Sequence, residues 1–180
     1  MKTVLITGAN NSIGFETAHQ LLQKGFFVYL GSRDIDKGLA AVEQLEAEGL
    51  TNVEAIEIDV ASSESVNAAR AAIGNKTDVL DVLINNAGVT GGFPQTALEA
   101  TPEQFTAAFD TNVIGVVRVT QAFIDRVKKS PEPRIVMVSS SQGSLTLAND
   151  PQGAYYHSRP AGVSFVSLYA RQGTPAFLRC

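Results

Sequence analysis

The chain has no tryptophan, two methionines and a single cysteine, Cys180. One thiol excludes a disulfide within these 180 residues and a zinc cluster built from cysteines. At the last position it reads as an exposed tail thiol rather than a nucleophile. No apolar run approaches the roughly 20 residues that cross a bilayer. Met1-Lys2 leads directly into a β-branched run with no room for a signal peptide, so the expected location is cytoplasmic. Positive charge is also scarce: 14 Lys and Arg against 18 Asp and Glu give a net charge of −4. That leaves no basic field for nucleic acid or an anionic membrane surface. Linkers, internal repeats and low-complexity tracts are absent too. What remains is 44% hydrophobic, enough for one sizeable core, and the expectation is a single domain over residues 1–180 with an irregular tail at 173–180.

The apolar run Val4-Leu5-Ile6 breaks into Thr7-Gly8-Ala9-Asn10-Asn11-Ser12-Ile13-Gly14, after which Ala18, Leu21 and Leu22 continue from Ile13 at helical spacing. This reads as strand, tight turn and helix, the first half of a βαβ unit. The first N–H groups of a helix lack intrahelical partners and carry the positive end of its dipole, so such a turn suits a phosphate. Gly8 is expected to let the chain turn, and Gly14 to let a ligand approach the backbone closely. The spacing Gly-x-x-x-Ser-x-Gly is not the Gly-x-Gly-x-x-Gly dinucleotide fingerprint. On its own it fits an ordinary strand-to-helix connection as well.

Further strands are expected at 26–30, 53–58, 79–84 and 135–139. Ser32-Arg33-Asp34 opens a helix with Leu39, Val42 and Leu45 on one face, and Gly25 and Gly49 mark helix ends. A helix over 63–73 is expected to stop at Gly74. The capping box Thr101-Pro102-Glu103-Gln104 starts one long helix to about residue 129, and a last helix spans 160–171. Loops are expected at 89–100 and 140–153. Alternating strands and helices imply a parallel, doubly wound α/β sheet, in which ligands sit at the carboxyl ends of the strands.

Five stretches then line up: Thr7-Gly8-x-x-x-Ser12-x-Gly14, Asp59-Val60, Asn85-Asn86-Ala87-Gly88, Thr111-Asn112-Val113, and Ser140-x-x-Gly143 followed by Tyr155-x-x-x-Arg159. In this order and spacing the chain resembles the short-chain dehydrogenase/reductase family, particularly its carbonyl-reductase-like members, from Lys2 to about Gln172. The resemblance implies a Rossmann-like sheet in the order 3-2-1-4-5 that lacks the family's last strands. It also implies a cofactor site made by Gly8, Asn10, Asn11, Ser12, Ile13, Gly14, Arg33, Asp59, Val60, Asn86, Ala87 and Gly88.

Within that site several side chains keep two readings. Asp59 either accepts from an adenine amine, with Val60 donating its N–H, or serves as a turn or N-cap aspartate. Asn85 reads as a structural amide holding neighbouring strands. Asn112 lies on a face otherwise made of Phe105, Phe109, Val116 and Val119, so it needs a partner, since leaving it unpaired and buried would cost about 1–3 kcal/mol. It is either a helix-distorting residue that binds a water in a proton relay or an amide paired with backbone; Gly115 fits a local irregularity there.

For reduction of a carbonyl, the resemblance makes Tyr155 the proton donor and Ser140 the hydrogen-bond donor to the carbonyl oxygen. Tyrosine, with an ordinary pKa of about 10, needs a nearby cation. The family supplies a lysine where this chain has Arg159, which keeps the charge and cannot pass a proton on. Pro160 follows, so Tyr155 and Arg159 need not share a helical face. An acidic residue ending the second strand favours NAD, whereas Ser32 and Arg33 here favour the 2′-phosphate of NADP. Asp34 either caps the next helix or approaches the ribose, and Asn11 stands where related NADP-dependent proteins often carry a basic residue. The resulting expectation is an NADP-dependent reductase of a small carbonyl compound, a homo-oligomer (a dimer through 102–129 and 160–171) or the partner of a related subunit. The alternatives are a catalytically silent nucleotide-binding or partner-binding module and a non-redox dehydratase or isomerase.

Overall fold

A computed structural model describes residues 1–90 and 100–139. Five parallel strands form one sheet in the order β3-β2-β1-β4-β5: β1 (Thr3–Ile6), β2 (Phe27–Ser32), β3 (Val53–Glu57), β4 (Val82–Asn85) and β5 (Arg134–Met137). The crossovers carry α1 (Ser12–Gln23), α2 (Ile35–Ala47), α3 (Ser63–Gly74), and α4 (Pro102–Phe109) continued as α5 (Gly115–Val127). The expected sheet order and doubly wound architecture are found. The expected last helix, the loop 140–153 and the tail lie outside the described residues.

Because side chains alternate along a strand, each strand feeds two cores. Val4, Ile6, Val28 and Leu30 pack with Ala18, Leu22, Ala41, Val42 and Leu45 on the α1/α2 face. Leu5, Tyr29, Ile56 and Leu83 pack with Val66, Ile73, Val119 and Phe123 on the α3/α5 face. Both faces are covered, which is why the strands read as unbroken apolar runs.

Three local expectations need correction. The α2 face that packs inward is Gly38, Ala41, Val42 and Leu45, while Leu39 is 49% exposed; two small residues let α2 approach the sheet, and the bulkier side chain points away. Gly74 does not stop α3 but is its last residue, with Asn75 as the C-cap; a Cβ there would strike the guanidinium of Arg126. The expected long helix is interrupted by a π-helical turn, Asp110–Ile114. Its capping box is present: Thr101 Oγ1 accepts from Gln104 N–H at 3.3 Å and Gln104 Oε1 accepts from Thr101 N–H at 2.8 Å.

At the amino ends of the strands, Asp81 is buried and joins three elements. It accepts from Thr3 N–H at 2.8 Å and Thr3 Oγ1 at 3.3 Å, and from Ser130 Oγ at 2.6 Å. Burial raises its pKa, but the hydrogen bonds from Ser130 and Thr3, with Lys2 nearby, outweigh it and hold the carboxyl below its ordinary value. A depressed folded-state pKa adds stability that is complete above about pH 4 and is lost as pH falls through the lower folded value. Asp81→Ala should cost about 2–4 kcal/mol near neutrality, because buried donors lose a charged acceptor. Denaturant unfolding between about pH 2 and 7 checks both points: Asp81→Asn should be less stable than the parent at neutral pH and lose less on acidification. An acid limb as steep as the parent's would exclude Asp81 as its source.

Candidate cofactor and active site

The carboxyl ends of all five strands open onto one cavity of about 680 Å³. It is lined by Gly8, by Asn10 to Gly14, by Arg33 and Lys37, by Asp59 and Val60, by Asn86 to Val89, and by Asn112 and Ser139. The sequence-derived cofactor residues are thus brought to one place.

The turn after β1 is fixed from below. Ala9 N–H donates to Gly31 C=O at 2.8 Å and Thr7 N–H to Ile84 C=O at 3.0 Å. Gly8 has φ +63°, and a Cβ on it would lie 2.9 Å from Ala87 Cα, so conformation and space both require glycine. Gly14 lines the cavity, and its lack of a side chain also serves the protein. Its missing Cβ makes room for protein, since the added atom would lie 2.5 Å from Asn86 Nδ2 and 2.6 Å from the Gly8 carbonyl oxygen. Ser12 has φ +49°, the left-handed region that favours glycine, at a cost of about 1–2 kcal/mol. At the N-cap, Asn11 is extended and its side chain makes no cap hydrogen bond, and the first turn of α1 holds no acidic residue. The free first-turn N–H groups and the helix dipole therefore face the cavity uncompensated. Ile13, which reads in the sequence as part of the apolar face, is 65% exposed and lines the cavity.

Asn86 spends its amide inside the protein, donating to the Thr7 and Gly8 carbonyl oxygens at 2.9 Å each. Thr7 Oγ1 accepts from Asn86 N–H and Ala87 N–H, both at 3.1 Å. The two residues staple the β1–α1 turn to the end of β4. Asn85 is buried, and its Nδ2 donates to Thr120 Oγ1 at 3.2 Å, joining β4 to α5. Asp59 is a turn residue: Oδ1 accepts from Ala61 N–H at 3.0 Å, and its own N–H donates to Ser65 Oγ at 2.8 Å. Ser62, not Asp59, caps α3.

Asn112 grips one residue at both ends. Its Oδ1 accepts from Val89 N–H and its Nδ2 donates to Val89 C=O, each at 2.8 Å. The side chain is the backbone-paired amide of one sequence reading, and the helix is distorted at this residue as the other reading expects. The clamp holds the strand-β4 exit against the π-turn. Ser139, the residue before Ser140, lines the same cavity; Ser140, Tyr155 and Arg159 lie outside the described residues.

At the end of β2 the charges are arranged against the sequence's main ambiguity. Asp34 is the N-cap of α2, accepting from Lys37 N–H at 3.2 Å, and its other oxygen pairs with Lys37 Nζ at 3.1 Å. Hydrogen bonds from the Lys37 side chain and backbone hold this carboxyl below its usual range. Ser32 is buried and donates its hydroxyl proton to Asp34 C=O at 2.7 Å, so the hydroxyl proton that the sequence reading offers to a phosphate is engaged within the turn. Arg33 lines the cavity and has no ion-pair partner among the described residues. Sequence reading missed Lys37; its signal is the spacing of three from an aspartate at a helix start.

The short chain dehydrogenase family model matches residues 2–177. The chain is 35% identical over 177 residues to the short-chain dehydrogenase anuI of Penicillium roqueforti, covering 91% of this chain and 69% of that protein. It is 37% identical over 181 residues to (−)-isopiperitenone reductase of Mentha piperita, covering 79% and 58%. An alcohol dehydrogenase from the archaeon Thermococcus sibiricus, solved with 5-hydroxy-NADP, superposes with a TM-score of 0.82 at 26% identity over 96% of this chain and 71% of that one. Among curated relatives that it matches, the chain spans 54–69% of their length. Matched over nearly all its residues, with the sheet order that its motifs imply, the chain belongs to the short-chain dehydrogenase family.

Proposed function

We propose that this cleft binds NADP(H) and that the chain serves the reduction of a small carbonyl compound. The observation that carries the cofactor choice is the Asp34–Lys37 pair. A carboxylate at the end of the second strand would repel a 2′-phosphate, but here it is turned into the α2 cap and neutralised by Lys37, leaving Arg33 without an ion-pair partner among the described residues at the cavity wall. The fit of a dinucleotide is supported by the Gly8 turn and by the uncapped N-terminus of α1. Arg33 and Lys37 would hold the 2′-phosphate, the α1 N–H groups the pyrophosphate, and Ala87 and Gly88 would leave space for ribose and nicotinamide. When bound, the cofactor supplies a hydride.

The chain's own residues then manage the oxygen. Ser140 donates a hydrogen bond to the carbonyl, and Tyr155 delivers a proton as that oxygen gains charge. Arg159 stabilises the tyrosinate by its positive charge. The Asn112–Val89 clamp fixes one wall of the cavity.

Calorimetric titration with NADPH and NADH, followed by turnover of aldehydes, ketones and quinones, tests the reading. No NADPH binding at millimolar concentration would remove it. A silent nucleotide-binding module is favoured by one feature, Arg159 before Pro160 in place of lysine. Arg159→Lys should therefore raise turnover about tenfold or more by restoring a transferable proton, and adding Pro160→Ala should raise it further. If both variants fold and neither exceeds the parent, the silent module is the better description.

A further inference from the structure

Arg118 lies on α5, outside every motif of the family resemblance, and its side chain is only 19% exposed. Its guanidinium reaches three separate pieces of chain. One NH group donates to Val60 C=O, Nε donates to Ser63 Oγ at 3.0 Å, and the other NH group donates to Asp110 Oδ1 at 3.1 Å. Val60 belongs to the turn after β3, Ser63 opens α3, and Asp110 opens the π-turn. A planar guanidinium spreads its N–H donors over a wide rigid fork and so spans three separately placed acceptors, which the compact ammonium of lysine does not.

Two walls of the cleft meet at this point. Asp59 and Val60 line one side, and Thr111 and Asn112 of the π-turn line the other. Gly115 brings them together, since a Cβ on it would lie 2.9 Å from Val60 Cγ2 and 3.0 Å from the carbonyl oxygens of Val60 and Asp110. The π-turn itself is closed by Gly115 N–H donating to Asp110 C=O, the wider five-residue ring that such turns adopt at functional positions. The general docking of α3 on α5 does not need Arg118. Val66 and Ala69 pack against Val119 and Phe123 in one core, and Arg70 bonds to Ala122 C=O and Asp125 Oδ2, both at 2.6 Å.

We propose that Arg118 is a positioning residue that fixes the separation of the Asp59–Val60 wall from the Asn112 wall, so that both ends of one dinucleotide meet a preformed cleft. The ligand part of this inference rests on the NADP(H) reading above; the positioning part does not. Without Arg118 the Asp59–Val60 wall keeps its own internal bonds. The Asn112 wall keeps its packing through Gly115 but loses the hydrogen-bonded anchor at Asp110, so the Val89 clamp on it is held less firmly. A ligand touching only the Asp59–Val60 wall should then bind as before, and a ligand touching both should bind more weakly.

The experiment uses Arg118→Met with Arg70→Met as a control that removes a comparable arginine tie between the same helices, away from the cavity. In 15N NMR of the free protein, the Asn112 Nδ2 protons, held by the Val89 clamp, should shift and exchange at least fivefold faster in Arg118→Met and stay unchanged in Arg70→Met. NADPH should bind about five- to tenfold more weakly to Arg118→Met, while 2′,5′-ADP, which occupies only the adenine end, should change by less than twofold. Arg118→Lys keeps the charge but serves fewer acceptors, so it should show the same changes at smaller size, and it carries the test if Arg118→Met fails to fold. If the parent binds neither nucleotide, the NADP(H) reading fails and the amide signals alone decide. Unmoved Asn112 amide signals, a dissociation constant for NADPH within twofold of a binding parent, equal weakening of NADPH and 2′,5′-ADP, or the same changes in Arg70→Met would each overturn the proposal.

Discussion

Gly14→Ala is expected to destabilise the fold by about 3–5 kcal/mol and to weaken dinucleotide binding more than tenfold. The methyl group would have to occupy space 2.5 Å from Asn86 Nδ2, 2.6 Å from the Gly8 carbonyl oxygen and 2.8 Å from Ala9 Cα. Two of these three are backbone atoms of the turn itself, so moving the Asn86 side chain alone cannot clear the space. Overpacking alone costs about 1–3 kcal/mol. Displacing the Asn86 amide also breaks its bonds to the Thr7 and Gly8 carbonyls, each worth about 0.5–1.5 kcal/mol. Gly25→Ala separates this from a conformational penalty. Gly25 has φ +79° with nothing within 4 Å of its absent Cβ, so that variant should lose about 1–2 kcal/mol from the left-handed backbone and bind nucleotide as the parent does. Urea unfolding and nucleotide titration of the two variants make the comparison. A Gly14→Ala protein with parental stability and affinity would mean that the turn tolerates a different path from the one seen here.

The sheet was legible because its signal is coarse. Val4-Leu5-Ile6, Phe27 to Leu30 and Val82 to Ile84 are covered on both sides, and a doubly covered strand needs nothing but apolar residues in a row. Strand order was implied by the family resemblance that the motifs at the strand ends carry. The π-turn was not legible as a boundary, because one inserted residue barely disturbs apolar spacing. Phe105 and Phe109, which the spacing puts on the inner face with Val116 and Val119, are 37% and 39% exposed, whereas Ala108, Val113 and Val119 are buried. The turn's trace was the misplaced amide of Asn112, whose need for a partner the Val89 backbone meets.

Glycine was only half legible. The local irregularity read at Gly115 is the π-turn, but the neighbours that require small residues at Gly14, Gly74 and Gly115, namely Asn86, Arg126 and Val60, are brought there by the fold and leave no mark in the sequence. Long-range ties such as Arg118 to Val60 leave no local pattern at all, since their spacing is set by the fold.

NADPH is expected to bind at least tenfold more tightly than NADH, and Arg33→Ala with Lys37→Ala should erase about 100-fold of NADPH affinity while changing NADH by less than threefold. One charge-assisted contact to a phosphate is worth about 1.5–3 kcal/mol, or roughly one to two decades. The two cations would share a single 2′-phosphate, so their contributions should not add fully. Lys37→Ala has a second consequence, because it also releases the Asp34 carboxylate from its ion pair. The unmasked charge should then push the 2′-phosphate away, making the loss larger than that of one contact. Asp34→Asn isolates that effect. Asparagine can keep the N-cap bond to Lys37 N–H, and if Lys37 already cancels the aspartate, the substitution should change NADPH affinity by less than about threefold. Because all these groups are exposed, the constants must be compared at one ionic strength, and the preference should shrink as salt rises. A gain of more than tenfold in Asp34→Asn would show that the carboxylate still opposes the phosphate. Equal affinities for the two cofactors in the parent, or a ratio unmoved by the double variant, would remove Arg33 and Lys37 from cofactor selection.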